Sequence, residues 1–287
     1  MAHAALCRVV RLGLVAGVLM QGHAWSQSPV PVEATGSAAM PPSLAAGPGE
    51  EHDRGDVWRD PVTGMEFVWV PGGTFEMGCG AWNRDCASDE KPAREVTLSG
   101  FWLGRTEVTQ GQWKKLMDYN WSSFNKGDDY PVESVTWDEA QEYIRKLNVR
   151  SDGVTFRLPT EAEWEYACRA GGKERVYGTR TGEWSDALAN SGHWFRHTTT
   201  RVASYPPNAL GLYDMSGNVA EWVQDAYDRG AYARMAAVDP LNNTGAYRIS
   251  RGGGWNSDAQ LARCSYRRSL TPSARGNNLG FRLARNP

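Results

Sequence analysis

The chain has 287 residues, of which 41% are hydrophobic and 22% charged, a balance that supports a packed core and excludes an extensively disordered chain. Its formal net charge of −2 leaves no basic surplus for neutralising phosphates, which excludes nucleic acid as the expected partner. The 13 tryptophans and 31 glycines predict a domain rich in turns, with indoles filling the gaps between irregular segments.

The N-terminus carries Arg8 and Arg11, then an apolar run over residues 12–20, then small residues around Ala24 and Ser26. This is the build of a secretory signal peptide spanning residues 1–26, and the run is too short to cross a bilayer. No Cys follows it where a lipoprotein needs one. Cleavage near Ser26 is expected, with export to a bacterial periplasm, no transmembrane segment left afterwards, and at most a peripheral association with the envelope. Residues 27–57 are dominated by Pro, Gly, Ala and Ser, which predicts a flexible lead, so the folded domain is expected over residues 58–287.

Within that domain, "EFVWV" before a Pro71-Gly72-Gly73 turn, "TFEMG" after it, and "EVTLSGFWLGRTEVT" predict short strands. Three helices announce themselves by one device. Thr109, Thr136 and Thr160 each stand three residues before a Gln or Glu, the capping box that satisfies free N–H groups at a helix start. After Thr136 the positions Ala140, Tyr143, Ile144 and Leu147 follow helical spacing; after Thr160, Trp164, Ala167 and Cys168 do, placing that cysteine on a buried face. Beyond Gly171 no long periodic segment follows, so something other than sheet and helix is expected to hold that half.

Export changes the meaning of the cysteines. Cys7 leaves with the signal, and the even set Cys79, Cys86, Cys168 and Cys264 predicts two disulfides. Cys79 and Cys86 close a short local ring, and Cys168 and Cys264 then staple distant parts of the chain. The paired C-x-x-C spacings of a zinc site are absent. His193 and His197 form an H-x-x-x-H pair, without helical patterning or a third ligand nearby. No G-x-S-x-G, H-E-x-x-H or phosphate-binding glycine loop occurs. The basic "RCSYRRS" stretch suits an anion or partner carboxylates equally well.

The stretch "GLYDMSGNVAEWVQD" poses the sharpest question. Asn218 and Glu221 are hard oxygen donors with the Val219 carbonyl between them, a set that calcium accepts. Spacing alone favours Asn218 as the cap of a short helix "VAEWVQ", with Glu221 facing solvent.

The series "FVWVPGGTFEMG", "FWLGRTEVTQGQW", "FRLPTEAEWEYACRAG", "PPNALGLYDMSGNVAEW", "SRGGGWNSDAQLARCSYRRS" and "NNLGFRLA" resembles the formylglycine-generating enzyme, or sulfatase-modifying factor, family, in order from about Phe67 to Arg285. The resemblance implies an α+β fold, a variant of the C-type lectin fold with little regular secondary structure, stabilised by calcium and disulfides. It implies structural Ca2+ at Asn218, Val219 and Glu221, and a second site near Asn190 and Ser191, where the expected Asp is lacking. It also implies the Cys168 to Cys264 pairing. Members that oxidise a sulfatase Cys hold copper(I) with two cysteines just after the glycine stretch, soft thiolates suiting that ion. Here residues 252–263 contain no Cys, so no copper is expected. By resemblance, the chain is a periplasmic pseudoenzyme like the regulators of type VI secretion, with the periplasmic domain of a Ser/Thr kinase or another envelope protein as partner. The alternatives are a cysteine-independent oxidoreductase, as in siderophore chromophore maturation, and a carbohydrate-binding module.

Overall fold

A computed structural model describes residues 52–192 and 198–287. The expected signal peptide, the lead up to residue 51 and the His193/His197 pair lie outside the described residues. The first half contains β1 (Val57–Arg59), β2 (Glu66–Val70), β3 (Gly73–Met77), β4 (Arg94–Leu98), β5 (Phe101–Gly104), α1 (Gln110–Lys114), α2 (Trp137–Arg150), β6 (Phe156–Arg157) and α3 (Glu161–Cys168). The second contains β7 (Ala220–Ala226), α4 (Ala231–Arg234), β8 (Arg248–Arg251), β9 (Arg268–Leu270), β10 (Leu279–Phe281) and β11 (Ala284–Arg285). Among the described residues no helix is long and apolar enough to cross a membrane.

Each predicted helix starts at its capping box. Thr109, Thr136 and Thr160 accept from the backbone N–H three residues on, and Gln112, Glu139 and Glu163 reach back to the cap N–H. On α2 the helically spaced Ala140, Tyr143, Ile144 and Leu147 are the buried positions. The strands depart from expectation in three places. The run expected as one strand through "EVTLSGFWLGRTEVT" breaks at Ser99 and Gly100: β4 pairs with β3 in its own hairpin, while β5 joins β2 in another sheet. Only glycine fits at the break, because a Cβ on Gly100 would lie 2.4 Å from Cζ2 of Trp69. The folded unit also begins earlier than Trp58. β1 starts at Val57, and the His52 ring packs 4.7 Å from Trp69 and 4.9 Å from Trp102.

The third departure is the largest. The half expected to lack sheet builds a four-stranded one, ordered β10-β7-β8-β9. Its strands are short, and β7 is buried at every position but Gln224, so it shows no alternation for a sequence pattern to catch. A five-stranded sheet, ordered β1-β2-β5-β11-β6, receives the chain's last strand between β5 and β6. β7 serves both cores. Val223 joins the cluster of Phe75, Val96, Trp164 and Met215, whereas Ala220 and Trp222 join that of Trp113, Tyr143, Leu147 and Phe281.

α3 is buried at every position, its three glutamates included. Each carboxylate meets an arginine. Glu161 takes the fork of Arg267 at 2.7 and 2.9 Å, Glu163 that of Arg157 at 2.6 Å, and Glu165 receives Arg251 at 2.5 Å and Arg169 at 3.1 Å. The C-terminal end of α3 is covalently tied as well. Cys168 is bonded to Cys264 across a separation of 96 residues, and Cys79 to Cys86 across 7. On the chain-entropy account the long loop contributes about 4 to 5 kcal/mol.

Asp225 closes the start of α3, accepting from the Glu161 N–H at 2.7 Å and the Asn242 N–H at 2.9 Å. Burial, reinforced by the Glu161 charge, pushes its carboxyl up to about 7. The folded state therefore holds this proton more tightly than the unfolded chain, where carboxyls titrate near pH ~4. The associated stability is full below that pH and is lost as pH rises to about 7. Urea unfolding between about pH 5 and 8 should show stability falling, and Asp225→Asn should flatten the fall. An unchanged slope in the variant would show that Asp225 titrates as an ordinary carboxylate.

Candidate functional site

The register of the four-stranded sheet sorts its side chains by face. Glu221 stands opposite Arg251, Trp222 opposite Ser250, and Ser250 opposite Arg268. The first pair points toward the ion pairs beneath the sheet. On the other face, Ala220, Ser250 and Arg268, with Asn278 just before β10, floor a cavity of about 330 Å³. Its wall is the loop over residues 253–261 together with Tyr266.

That wall is anchored to the turn at Gly217 and Asn218. Gly217 donates its N–H to the Gly252 carbonyl at 2.9 Å, and Trp255 donates to the Asn218 carbonyl at 2.8 Å. Gly217 (φ 98°) has no room for a side chain, since a Cβ would lie 2.6 Å from the Asn190 carbonyl oxygen. Ser191 adds a second tie, its hydroxyl donating to the Ser257 carbonyl at 2.6 Å. Inside the loop the Ser257 hydroxyl accepts from the Gly254 N–H at 2.9 Å, and Asp258 caps a short turn through the Leu261 N–H.

Hydroxyls, amides and one cation line the cavity. The Ser250 hydroxyl is 1% exposed and has no hydrogen-bond partner among the described residues. Asn278 donates to Asn256 at 2.7 Å. Burial raises the Tyr266 phenol, so it stays a protonated donor at neutral pH. Among the described residues no Cys, His or carboxylate lines the cavity. The arrangement is built to hold a polar group.

The predicted metal residues lie behind the wall. Residues 220–226 form β7 rather than a helix, which rules out the reading of Asn218 as a helix cap. Asn218 is left-handed (φ 58°), is fully buried, accepts from the Thr200 N–H at 3.0 Å and donates its amide to Glu107 at 3.0 Å. The Asn190 carbonyl accepts the Asn218 N–H, while the Asn190 side-chain oxygen is buried without a partner among the described residues. Val219 is fully buried beside them. Glu221 is otherwise engaged. Arg282 forks onto both its oxygens at 2.6 and 2.7 Å, and the Trp164 indole donates at 2.7 Å, so a cation there must share the carboxylate with Arg282.

Two residues missed in the sequence complete the cluster. Glu107, 111 positions before Asn218, takes the Asn218 amide at 3.0 Å, and Asp214, which accepts from the Ala203 N–H at 2.7 Å, lies near enough for its charge to act on Glu107. Burial drives both carboxyls upward, and the Asp214 charge adds to the rise at Glu107. Among the described residues one oxygen of Glu107 has no partner. Buried Glu107 and Glu221 and half-buried Asp214 thus face one guanidinium, Arg282. Among the described residues three such groups do not converge on one point, so amide and carbonyl oxygens of Asn190, Asn218 and Val219 would have to complete a shell. An all-oxygen donor set with surplus negative charge fits a hard divalent cation. Asp214 stood within the quoted stretch, but nothing in its spacing connected it to the distant Glu107.

The Sulfatase-modifying factor enzyme 1-like domain family matches residues 53–287. The Serine/threonine-protein kinase Pkn1 of Chlamydia trachomatis is 34% identical over 82% of this chain, which spans only 40% of the kinase's length. The Formylglycine-generating enzyme of Streptomyces coelicolor is 30% identical, covering 86% of this chain and 95% of the enzyme. Among solved structures, PvdO from Pseudomonas aeruginosa superposes with a TM-score of 0.73 at 27% identity, covering 83% of this chain and all of PvdO.

The Glu221–Arg282 pair is buried on both sides, so removing one partner strands the other charge. Arg282→Met should destabilise the protein by about 3 to 5 kcal/mol in urea unfolding, and adding Glu221→Gln should restore part of that. Additive losses in the double variant would show that the two do not act as a pair.

Proposed function

The chain belongs to the Sulfatase-modifying factor enzyme 1-like domain family, and from that premise we propose that it is a non-catalytic member whose cavity and rim recognise another protein. One observation carries the reading: the cavity wall has no thiol. Residues 252–263 contain no Cys, and Cys264, just beyond, is fully buried and bonded to Cys168. Copper(I) activation of oxygen by this family's route needs a thiolate pair, so conversion of a sulfatase cysteine to an aldehyde is not expected. The disulfides suit an oxidising compartment, which supports action in the periplasm after export by the N-terminal segment. The likeness to part of a chain named as a Ser/Thr kinase supports a partner of that kind, such as the periplasmic domain of a membrane kinase regulating type VI secretion. A second reading, a cysteine-independent oxidoreductase acting on a small molecule, is favoured by the size of the cavity, about 330 Å³, and the likeness to PvdO.

Affinity capture by the mature protein from envelope extracts, identified by mass spectrometry, tests the first reading. Recovery of a kinase ectodomain is expected, together with no aldehyde formed on a Cys-containing sulfatase peptide supplied with copper(I). Aldehyde above a buffer control would sink the non-catalytic reading. Turnover of a small phenolic precursor with no protein captured would favour the second.

Calcium, in the same proposal, neutralises the Glu107–Asp214 carboxyls and holds the turn at Asn218, with Asn190, Asn218 and Val219 supplying further oxygens. When bound it supplies charge and rigidity, because this turn anchors the cavity wall. Binding to the folded state stabilises by about 2.7 kcal/mol at a hundredfold excess over Kd. EDTA should therefore lower Tm, calcium should restore it, magnesium should do so poorly, and Asp214→Asn should remove most of the response. A melting curve indifferent to EDTA in the unmodified protein would rule the ion out.

A further inference from the structure

The three arginines of "RCSYRRS" have different fates. Arg263 forks onto Glu90, both contacts at 2.7 Å, and Arg267 onto Glu161. Arg268 takes no hydrogen bond or ion pair among the described residues; it is exposed and lines the cavity. In the β8–β9 register it stands directly opposite Ser250, whose buried hydroxyl has no partner. Opposed side chains on one sheet face sit with Cβ atoms about 5 Å apart, so both can address one small group. A buried hydroxyl left unpaired is costly in a folded protein unless a ligand completes it.

We propose that the cavity is a carboxylate site, in which the Arg268 guanidinium forks onto the carboxylate from the mouth and the Ser250 hydroxyl donates to it from the floor. The planar fork of arginine matches a carboxylate with two parallel bonds. Arg268 is the one charged group lining the cavity among the described residues, which favours a monoanion over a dianionic phosphate. Asn256 and Asn278 supply uncharged donors and acceptors beside it, suited to the amide neighbours of an acidic side chain. The carboxylate comes either from a peptide of the partner or from a free small carboxylic acid. The site deepens the binding reading given above and rests on it.

Titration calorimetry on the mature protein tests the site with three probes: acetyl-Gly-Glu-Gly-amide, its Gln counterpart, and glutarate. At least one of the two carboxylates should bind, and the Gln peptide should bind at least tenfold more weakly than the Glu peptide wherever the peptide binds. Arg268→Gln should erase the preference for carboxylate, and Ser250→Ala should weaken carboxylate binding severalfold while Tm stays unchanged or rises. Binding of the Glu peptide points to a macromolecular source, and binding of glutarate alone to a small acid; either supports the site. Equal binding of the Glu and Gln peptides, no binding by any probe, or an Arg268→Gln variant that still prefers carboxylate overturns it. Capture of a protein partner undiminished in Arg268→Gln, with glutarate unbound, would likewise overturn the carboxylate site and leave the interaction reading standing. Carboxylate binding with no partner captured would do the reverse.

Discussion

Buried arginine–carboxylate pairs are the constraint on which this fold depends. α3 is a short helix enclosed on all sides, and its glutamates would be prohibitively placed without the guanidinium groups that reach them from elsewhere. Arg251 on β8 and Arg267 before β9 come from the second half of the chain, and Arg282 beyond β10 does the same for Glu221 on β7. Such pairs add little net stability against an apolar core, because desolvation consumes most of the attraction. Their contribution here is positional. A guanidinium fork fixes distance and direction, which loops of turn residues cannot do alone.

The same pairs divide the four-stranded sheet. Residues alternating toward α3 enter the ion-pair layer, so Glu221 and Arg251 are committed to structure, while their neighbours Ala220 and Ser250 are left to face the cavity. The disulfide reinforces that division at Cys264, immediately after the cavity wall, and in doing so consumes the nearest thiol. Among the described residues, hydroxyls, amides and a single guanidinium line the open face.

The acid cluster behind the wall is coupled to the cavity through the backbone. Asn218 binds Glu107 through its side chain and Trp255 through its carbonyl, so a change in charge at Glu107 and Asp214 is two hydrogen bonds from the wall. An excess of buried carboxylate over guanidinium strains that turn unless protons or a cation balance it. The position of the wall is thus tied to the ionic state of groups that do not line the cavity.

The helix starts, the amphipathic face of α2 and the burial of Cys168 were legible in the sequence, because capping boxes and helical spacing are local and the atoms that satisfy them lie within one turn. Family resemblance, carried by ordered motifs along most of the chain, added the fold. The second sheet was not legible: strands of three to seven residues, buried on both faces as in β7, carry no alternation. Nor was the assignment of charges. Nothing along the chain says that Arg267 is bound by Glu161 106 positions away while its neighbour Arg268 pairs with none of the described residues, or that Glu107 lies behind Asn218. Sequence lists which charges exist; only the packed structure, by burying some of them, decides which must pair.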